Sequence, residues 1–314
     1  AGGHNLLMMG PPGAGKTMLA RRLPTIMPLM LAEEALEVTA IHSVAGLLGS
    51  DRGLLCERPF RAPHHTVSVA GLVGGGSPVR PGEVSLAHGG CLFLDELLEF
   101  GRATVEALRQ PLEDGVVSVC RARERAIFPA RPLMVAALNP CPCGYAGTPR
   151  CTCPPERVRA YRQRLSGPLL DRIDLQIALP PVDVADLSAR GPAGEASVAV
   201  RDRVDRTRAV QAARFARGEV GAKLNATLGA KDLARVAAPD AAAERVLRTA
   251  AEALGLSARA FGKILRVART LADMDGMTAV GGPHVAEALH LRLLDRVRAP
   301  WSLDGRSGVA PATG

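Results

Sequence analysis

Residues 10–17, Gly10-Pro11-Pro12-Gly13-Ala14-Gly15-Lys16-Thr17, set glycines, a lysine and a hydroxyl at the offsets G-x-x-x-x-G-K-[ST]. A tight turn needs only one or two glycines, whereas a polyphosphate needs a run of backbone N–H donors, a cation and a hydroxyl for its metal. All three are present. The N–H groups freed by Gly13 and Gly15 would wrap the phosphates, Lys16 would reach the β- and γ-phosphates, and Thr17 would ligate Mg²⁺. The candidate nucleotide contacts are Gly10, Pro11, Pro12, Gly13, Ala14, Gly15, Lys16, Thr17 and Met18, and the ligand class is ATP or GTP.

Bound Mg²⁺ also needs a carboxylate from a neighbouring strand end, and hydrolysis needs a group that orients water. Cys91-Leu92-Phe93-Leu94-Asp95-Glu96 is an apolar run ending in two acids. Asp95 would hold the metal through water, and Glu96 would polarise the attacking water. The Asp-Glu pair also disfavours simple switch GTPases. A second apolar run, Leu133 to Leu138, ends in Asn139, which would contact the γ-phosphate and the attacking water from the opposite side, or simply form a turn. Arg172 stands between two acids in Leu169-Leu170-Asp171-Arg172-Ile173-Asp174, which by itself reads as a surface ion pair.

Such groups need a frame that gathers strand ends. Residues 1 to about 180 alternate short apolar runs with helical patterns, the signature of a parallel sheet with crossover helices. The expected central strands are Leu6–Met9, Cys91–Asp95, Leu133–Leu138 and Ile173–Leu179, and Lys16 to Leu23 reads as a helix ended by Pro24. Pro180-Pro181 and Gly191-Pro192-Ala193-Gly194 punctuate the chain. Beyond them the pattern is helical only, near Val198–Arg217, Ala241–Leu254, Ser257–Asp273 and Pro283–Arg298. With 314 residues and 47% hydrophobic content, one large and one smaller core are expected. The division is 1–182 for the α/β unit, 195–300 for a small all-α unit and 301–314 for a frayed tail.

The net charge of +8 concentrates in residues 121–172, where ten Arg face Glu124, Glu156 and Asp171. Such a block suits a polyanion, although an Arg-heavy chain with four Lys also fits a base-composition bias. The longest apolar stretches, such as Ile26 to Ala32, fall well short of the roughly 18–20 residues of a membrane span, and no charged leader opens the chain. A cytoplasmic protein is expected. A start without Met, leading straight into a strand, is expected of a fragment. Cys141-x-Cys143 and Cys151-x-Cys153 gather thiols that in a reducing compartment suit tetrahedral Zn²⁺, or else form a reduced or redox-sensitive loop. Cys56, Cys91 and Cys120 read as small packing residues, and His64-His65, with no acidic partner at fixed spacing, as structural or substrate-loop residues.

The order of phosphate loop, Leu-Asp-Glu, strand-end Asn and Leu-Leu-Asp-Arg resembles the magnesium-chelatase-like clade of AAA+ ATPases. More narrowly, Arg58-Pro59-Phe60-Arg61-Ala62-Pro63-His64-His65-Thr66, the segment Pro81 to His88, the segment Leu108 to Gly115 and Asn139-Pro140-Cys141-Pro142-Cys143-Gly144 resemble the YifB/ComM family, over residues 1 to about 298. The resemblance implies an AAA+ parallel sheet with helices on both faces, followed by a helical lid. It also implies a ring, a hexamer, with ATP at subunit interfaces. In that ring Arg172 is the finger offered to a neighbour, Asn139 the sensor on the same subunit, and Arg259, with Arg266 second, the phosphate sensor of the lid. Residues 66–82 would form a mobile loop pointing toward the pore. Val116 to Phe128 would form a hairpin whose tip, with Arg121, Arg123 and Arg125, grips DNA phosphates. The implied activity is a DNA helicase or branch-migration motor that helps integrate strands in natural transformation. The rival is an ATP-driven remodeller of a protein complex, and a third class is a nucleotide-regulated scaffold. The family's Lon-like N-terminal domain and the helix before the first strand lie outside this sequence, so weaker nucleotide affinity, ring assembly and DNA engagement are expected of it.

Overall fold

The structure, a computed structural model, describes residues 1–49, 53–120, 125–182 and 194–292. In chain order the strands are β1 (Leu6–Met9), β2 (Phe60–Arg61), β3 (Gly74–Gly75), β4 (Arg80–Pro81), β5 (Cys91–Leu94), β6 (Val116–Cys120), β7 (Arg125–Pro129), β8 (Leu133–Leu138) and β9 (Leu175–Ala178). Five of them form the central sheet in the order β2-β5-β8-β1-β9, with every pairing parallel. Their carboxyl ends therefore open on one edge, the edge where ligands of such sheets bind.

Helices α1 (Lys16–Ile26), α2 (Ala32–Val44), α3 (Val69–Val73), α4 (Glu83–Leu86), α5 (Arg102–Glu106), α6 (Arg109–Asp114), α7 (Pro155–Gln163) and α8 (Gly167–Leu170) connect the strands. One face of the sheet packs Leu7, Leu92, Leu94, Met134 and Leu138 into a core, and the other packs Met8, Phe93, Val135 and Ala137 against Ala20 of α1. Strands buried on both faces carry no polar alternation, which is why β1, β5 and β8 read as unbroken apolar runs.

The second unit is helical: α9 (Ser197–Ala216), α10 (Ala230–Val236), α11 (Ala241–Leu254), α12 (Ala258–Met274) and α13 (Gly282–His290). It has its own core, with Leu247, Ile264, Val267 and Val285 at its centre. Asp240 and Ser257 cap α11 and α12 by accepting the N–H groups of Ala243 and Ala260. A buried ionic joint ties this lid to the sheet: Asp174, just before β9, lies 2.9 Å from Lys263 Nζ and 3.3 Å from His4 Nδ1. His4 Nε2 in turn meets Thr270 Oγ1 at 2.7 Å. Burial alone would raise the Asp174 carboxyl, but the hydrogen bond with His4 and the Lys263 charge outweigh it and hold the group at about 2. Burial pulls Lys263 below its ordinary value in spite of Asp174. The His4 and Lys263 contacts together favour the charged carboxylate.

Several sequence expectations need correction. Helix α1 does not stop before Pro24 but runs to Ile26, because so near the end the proline forfeits a single helical N–H bond and its carbonyl still accepts from Met27. Residues 66–82 are not an open loop. They fold into α3 and the β3–β4 pair, with Leu72 fully buried and Ser68 accepting the Gly71 N–H. The glycines there serve close backbone approach: a Cβ on Gly82 would stand 2.3 Å from Gly74 N and 2.5 Å from Leu72 O. The last strand begins at Leu175 rather than Ile173, whose N–H turns back to Leu170 O. Cys91 is buried as expected, but Cys56 and Cys120 are exposed. Cys120 falls on the outward register of β6. The expected last helix is described as α13 to His290, and residues 293–298 and the tail 301–314 lie outside the described residues.

Candidate functional site

Gly10 follows β1 on the carboxyl edge, where its N–H donates to Leu138 O of β8 at 3.3 Å. A Cβ there would stand 2.7 Å from Leu179 O, so the loop leaves the sheet through a gap that only glycine fits. Gly13 and Gly15 both adopt φ +80°, the left-handed conformation that turns successive N–H groups toward one point. Helix α1 starts at Lys16 with no side-chain cap and no acid in its first turn, so its N-terminal donors and the positive end of its dipole stay free for an anion. Met18, one residue beyond the hydroxyl, is 61% exposed.

The side chains named from sequence converge here. Lys16 Nζ donates to Gly10 O at 2.7 Å, to Pro11 O at 2.9 Å and to Asn139 Oδ1 at 3.1 Å. Burial lowers the Lys16 ammonium, while Asp95 and Glu96 pull it back up. Thr17 Oγ1 donates to Asp95 Oδ2 at 2.8 Å, which sets a hydroxyl and a carboxylate side by side as Mg²⁺ ligands require. Three strand ends, those of β1, β5 and β8, thus deliver cation, acid and amide to one corner. The donor set fits a nucleotide with its metal: uncapped N–H groups, a buried lysine, and a hydroxyl–carboxylate pair of hard oxygens.

Glu96 is the only non-glycine among the described residues with positive φ, at 52°. Its N–H donates to Asp95 Oδ1 at 3.0 Å, and its carboxylate stays largely exposed. Such strain at a strand end aims the side chain away from the sheet. Here the structure supplies a partner that sequence spacing did not: His65 Nδ1 lies 3.8 Å from Glu96 Oε2. The signal lay in the strand register, since β2 pairs with β5 as Phe60↔Cys91 and Arg61↔Leu92, an offset that carries residue 65 level with residue 96. The His64 ring lies against His65 with centroids 4.0 Å apart, and Phe100 flanks it edge-on at 6.4 Å.

The arginines are not gathered into this corner. Arg172 donates to Pro168 O at 2.6 Å and Arg109 O at 3.2 Å, and pairs closely with Glu113 rather than with its sequence neighbours Asp171 and Asp174. It lines a cavity of about 510 Å³ with Arg109, Gln110, Glu113 and Asp114, none of which belongs to the phosphate loop. Arg259, on the first turn of α12, is exposed and makes no hydrogen bond or ion pair to a described residue, whereas Arg266 is engaged by Leu228 O at 2.9 Å. Strands β6 and β7 form the expected hairpin, paired from Val116↔Pro129 to Cys120↔Arg125, with Arg125 exposed. Arg121 and Arg123 lie outside the described residues.

Cys141, Cys143, Cys151 and Cys153 come together as the sequence suggested, with all four sulfurs within 4.8 Å of one another. The backbone N–H groups of Tyr145 and Thr152 hold the Cys143 thiol down to about 6. Among the described residues no helix is long and apolar enough to cross a membrane.

Comparison with known proteins places the chain as a whole. The family described as magnesium chelatase, subunit ChlI, matches residues 1–187, and its C-terminal counterpart matches residues 194–292. The chain is 48% identical over 293 residues to an uncharacterised protein of Mycobacterium tuberculosis, 46% over 300 residues to the competence protein ComM of Haemophilus influenzae and 43% over 297 residues to the uncharacterised YifB of Escherichia coli. These alignments cover 93% or 95% of this chain but only 57% or 58% of the relatives, so the chain spans little more than half their length. With its parallel α/β sheet, helical lid and matches across both units, the chain belongs to the magnesium chelatase ChlI family and has ComM and YifB among its relatives.

Proposed function

We propose that this chain is the motor portion of a Mg²⁺-dependent AAA+ ATPase that assembles into a ring, a hexamer, and moves DNA as a helicase or branch-migration engine during recombination of incoming strands. The single observation that carries the hydrolytic part is the corner where Lys16 meets Asn139 and Thr17 meets Asp95, with Glu96 beside them. On this reading the N–H groups from Gly10 to Met18 bind the phosphates and Lys16 exchanges the Gly10 and Pro11 carbonyls for phosphate oxygens. Glu96 accepts a proton from the attacking water, held in place by His65, and Asn139 orients that water. Mg²⁺, when bound, would be held by Thr17 and, through water, by Asp95, and would supply charge neutralisation on the phosphates. Arg172 of a neighbouring copy completes the site, and Arg259 reports on the nucleotide from the lid. The cofactors are ATP and Mg²⁺, with Zn²⁺ at the cysteine cluster, and the location is the cytoplasm, where thiolates remain available to a metal.

The DNA part is supported by the net charge of +8, by the exposed Arg125 on a hairpin whose other face is packed into the core and by the competence function in the name of the Haemophilus relative. With 3% aromatic residues the contact would be to the phosphate backbone rather than to stacked bases. One observation favours a second reading: the matching family is described as a magnesium chelatase subunit, which fits a motor that remodels a protein complex. The two separate in an ATPase assay at several salt concentrations with and without single-stranded and forked DNA, with Glu96→Gln as the blank. DNA-stimulated turnover that fades with salt is expected. Turnover indifferent to DNA in a ring-forming protein would replace the DNA reading with the protein-remodelling one.

A further inference from the structure

The cysteine cluster is built for a single soft cation. Sulfur separations are 3.3 Å for Cys141–Cys143, 3.8 Å for Cys143–Cys151 and 3.9 Å for Cys141–Cys151, and none of the four thiols is in a disulfide. Four thiolates on Zn²⁺ at the usual Zn–S length define a tetrahedron with edges of about 3.8 Å. Two of the three separations match that edge and the Cys141–Cys143 pair is shorter, a spacing that suits one ion, and an all-sulfur donor set excludes Mg²⁺ and Ca²⁺. Supporting groups are in place as well. The Ala146 N–H donates to Cys141 Sγ at 3.2 Å, and Arg162, attracted by Cys141 and Cys151, donates from Nε to Pro140 O at 3.2 Å.

The position of the cluster matters more than its composition. Its first ligand stands two residues after Asn139, which holds Lys16. The turn closed by Gly144 N–H to Cys141 O at 2.9 Å presses on the phosphate loop itself. Gly144 has φ +86°, and a Cβ there would lie 2.5 Å from Pro12 Cδ and 2.7 Å from Pro12 Cγ. A proline ring on the loop cannot step aside like the end of a flexible side chain. The cysteine loop and the phosphate loop are therefore packed backbone to ring, with the four cysteine sulfurs clustered immediately behind the contact.

We propose that Cys141, Cys143, Cys151 and Cys153 bind one Zn²⁺, and that this ion braces the phosphate loop through the Gly144–Pro12 contact, so that metal occupancy sets nucleotide affinity. The proposal rests on the reading of residues 10–18 as the nucleotide site. Its test uses the full chain. Metal content by mass spectrometry, and the thiolate charge-transfer and d–d bands after Co²⁺ substitution, report the site. Titration with a fluorescent ADP analogue reports the loop. One Zn²⁺ per chain and a tetrahedral Co²⁺ spectrum are expected. The double variant Cys151→Ser with Cys153→Ser loses the metal and binds the analogue roughly tenfold more weakly. Gly144→Ala keeps the metal, judged by the same spectrum, yet weakens the analogue by a similar factor. Removing Zn²⁺ from the wild-type chain with a chelator lowers affinity, and adding Zn²⁺ restores it, which sets apart a variant that merely fails to fold. Metal present with nucleotide affinity unchanged both in Gly144→Ala and after chelation would overturn the brace and leave the metal site standing. Absence of any metal binding would overturn both. Metal binding in a wild-type chain that takes no nucleotide would instead defeat the reading of the phosphate loop, and the brace with it.

Discussion

Lys16, Thr17, Asp95 and Asn139 find one another within a single chain, whereas Arg172 finds Glu113 and two backbone carbonyls, and Arg259 finds no described partner. The first group sits at the ends of adjacent parallel strands, so the sheet itself brings the residues together. The second group sits on a turn before β9, where Arg172 is mostly buried against Glu113 and two carbonyls, and on a lid helix, where Arg259 is exposed. One region gathers its groups within the chain, and the other does not, as the proposed sharing of the site between copies requires. On the proposed reading, the difference separates phosphate binding, for which one folded chain gathers the groups, from turnover, which needs a second copy.

The largest expected effect breaks this comparison if it goes the wrong way. Arg172→Ala should reduce turnover of the assembled protein by about 10³- to 10⁵-fold, the worth of an arginine finger, while a fluorescent nucleotide still binds the isolated chain normally. Equal loss of affinity in the isolated chain would assign Arg172 to holding Glu113 in place. Glu96→Gln should lower turnover by about 10²- to 10⁴-fold with nucleotide retained, measured by single-turnover hydrolysis alongside binding.

The joint between the regions gives a stability prediction. Asp174→Ala leaves Lys263 buried without its carboxylate and should cost about 3–5 kcal/mol in urea denaturation. In the wild type the Asp174 carboxyl lies at about 2 against an ordinary 3.8, so the charged form favours the folded state. Its contribution is present above about pH 4 and disappears as pH falls through about 2. The Asp174→Ala chain should lack that part of the acid dependence. The smallest effect belongs to His65→Ala, at roughly two- to fivefold in kcat with KM unchanged, because the pair with Glu96 is partly exposed. Recovery of kcat in His65→Gln but not in His65→Leu would mark His65 as positioning Glu96 rather than as packing.

The corner was legible in the sequence because its parts are local: an apolar run ends and the chemistry follows at once, as in Leu94-Asp95-Glu96 and Leu138-Asn139. The helix Ala241–Leu254 was readable for a similar reason, since Asp240 caps it and Gly255 ends it in a left-handed turn. What escaped depends on long-range register and close approach. Strand β2 is only two residues long, so nothing in its composition announced it, and without it His65 could not be placed beside Glu96. Gly74 and Gly82 look like flexibility in one dimension but serve close backbone approach in three, to Arg80 and to Leu72 and each other. The Gly144–Pro12 contact joins residues far apart in sequence and has no pattern of its own.

The most direct measurement mixes two dead chains. Full-length Glu96→Gln and Arg172→Ala proteins, each inactive alone, are combined under ring-forming conditions and ATP turnover is followed. Recovered turnover is expected, because some interfaces then pair an intact Glu96 from one chain with an intact Arg172 from the other. A mixture that forms rings containing both chains but stays inactive would contradict a site shared between subunits.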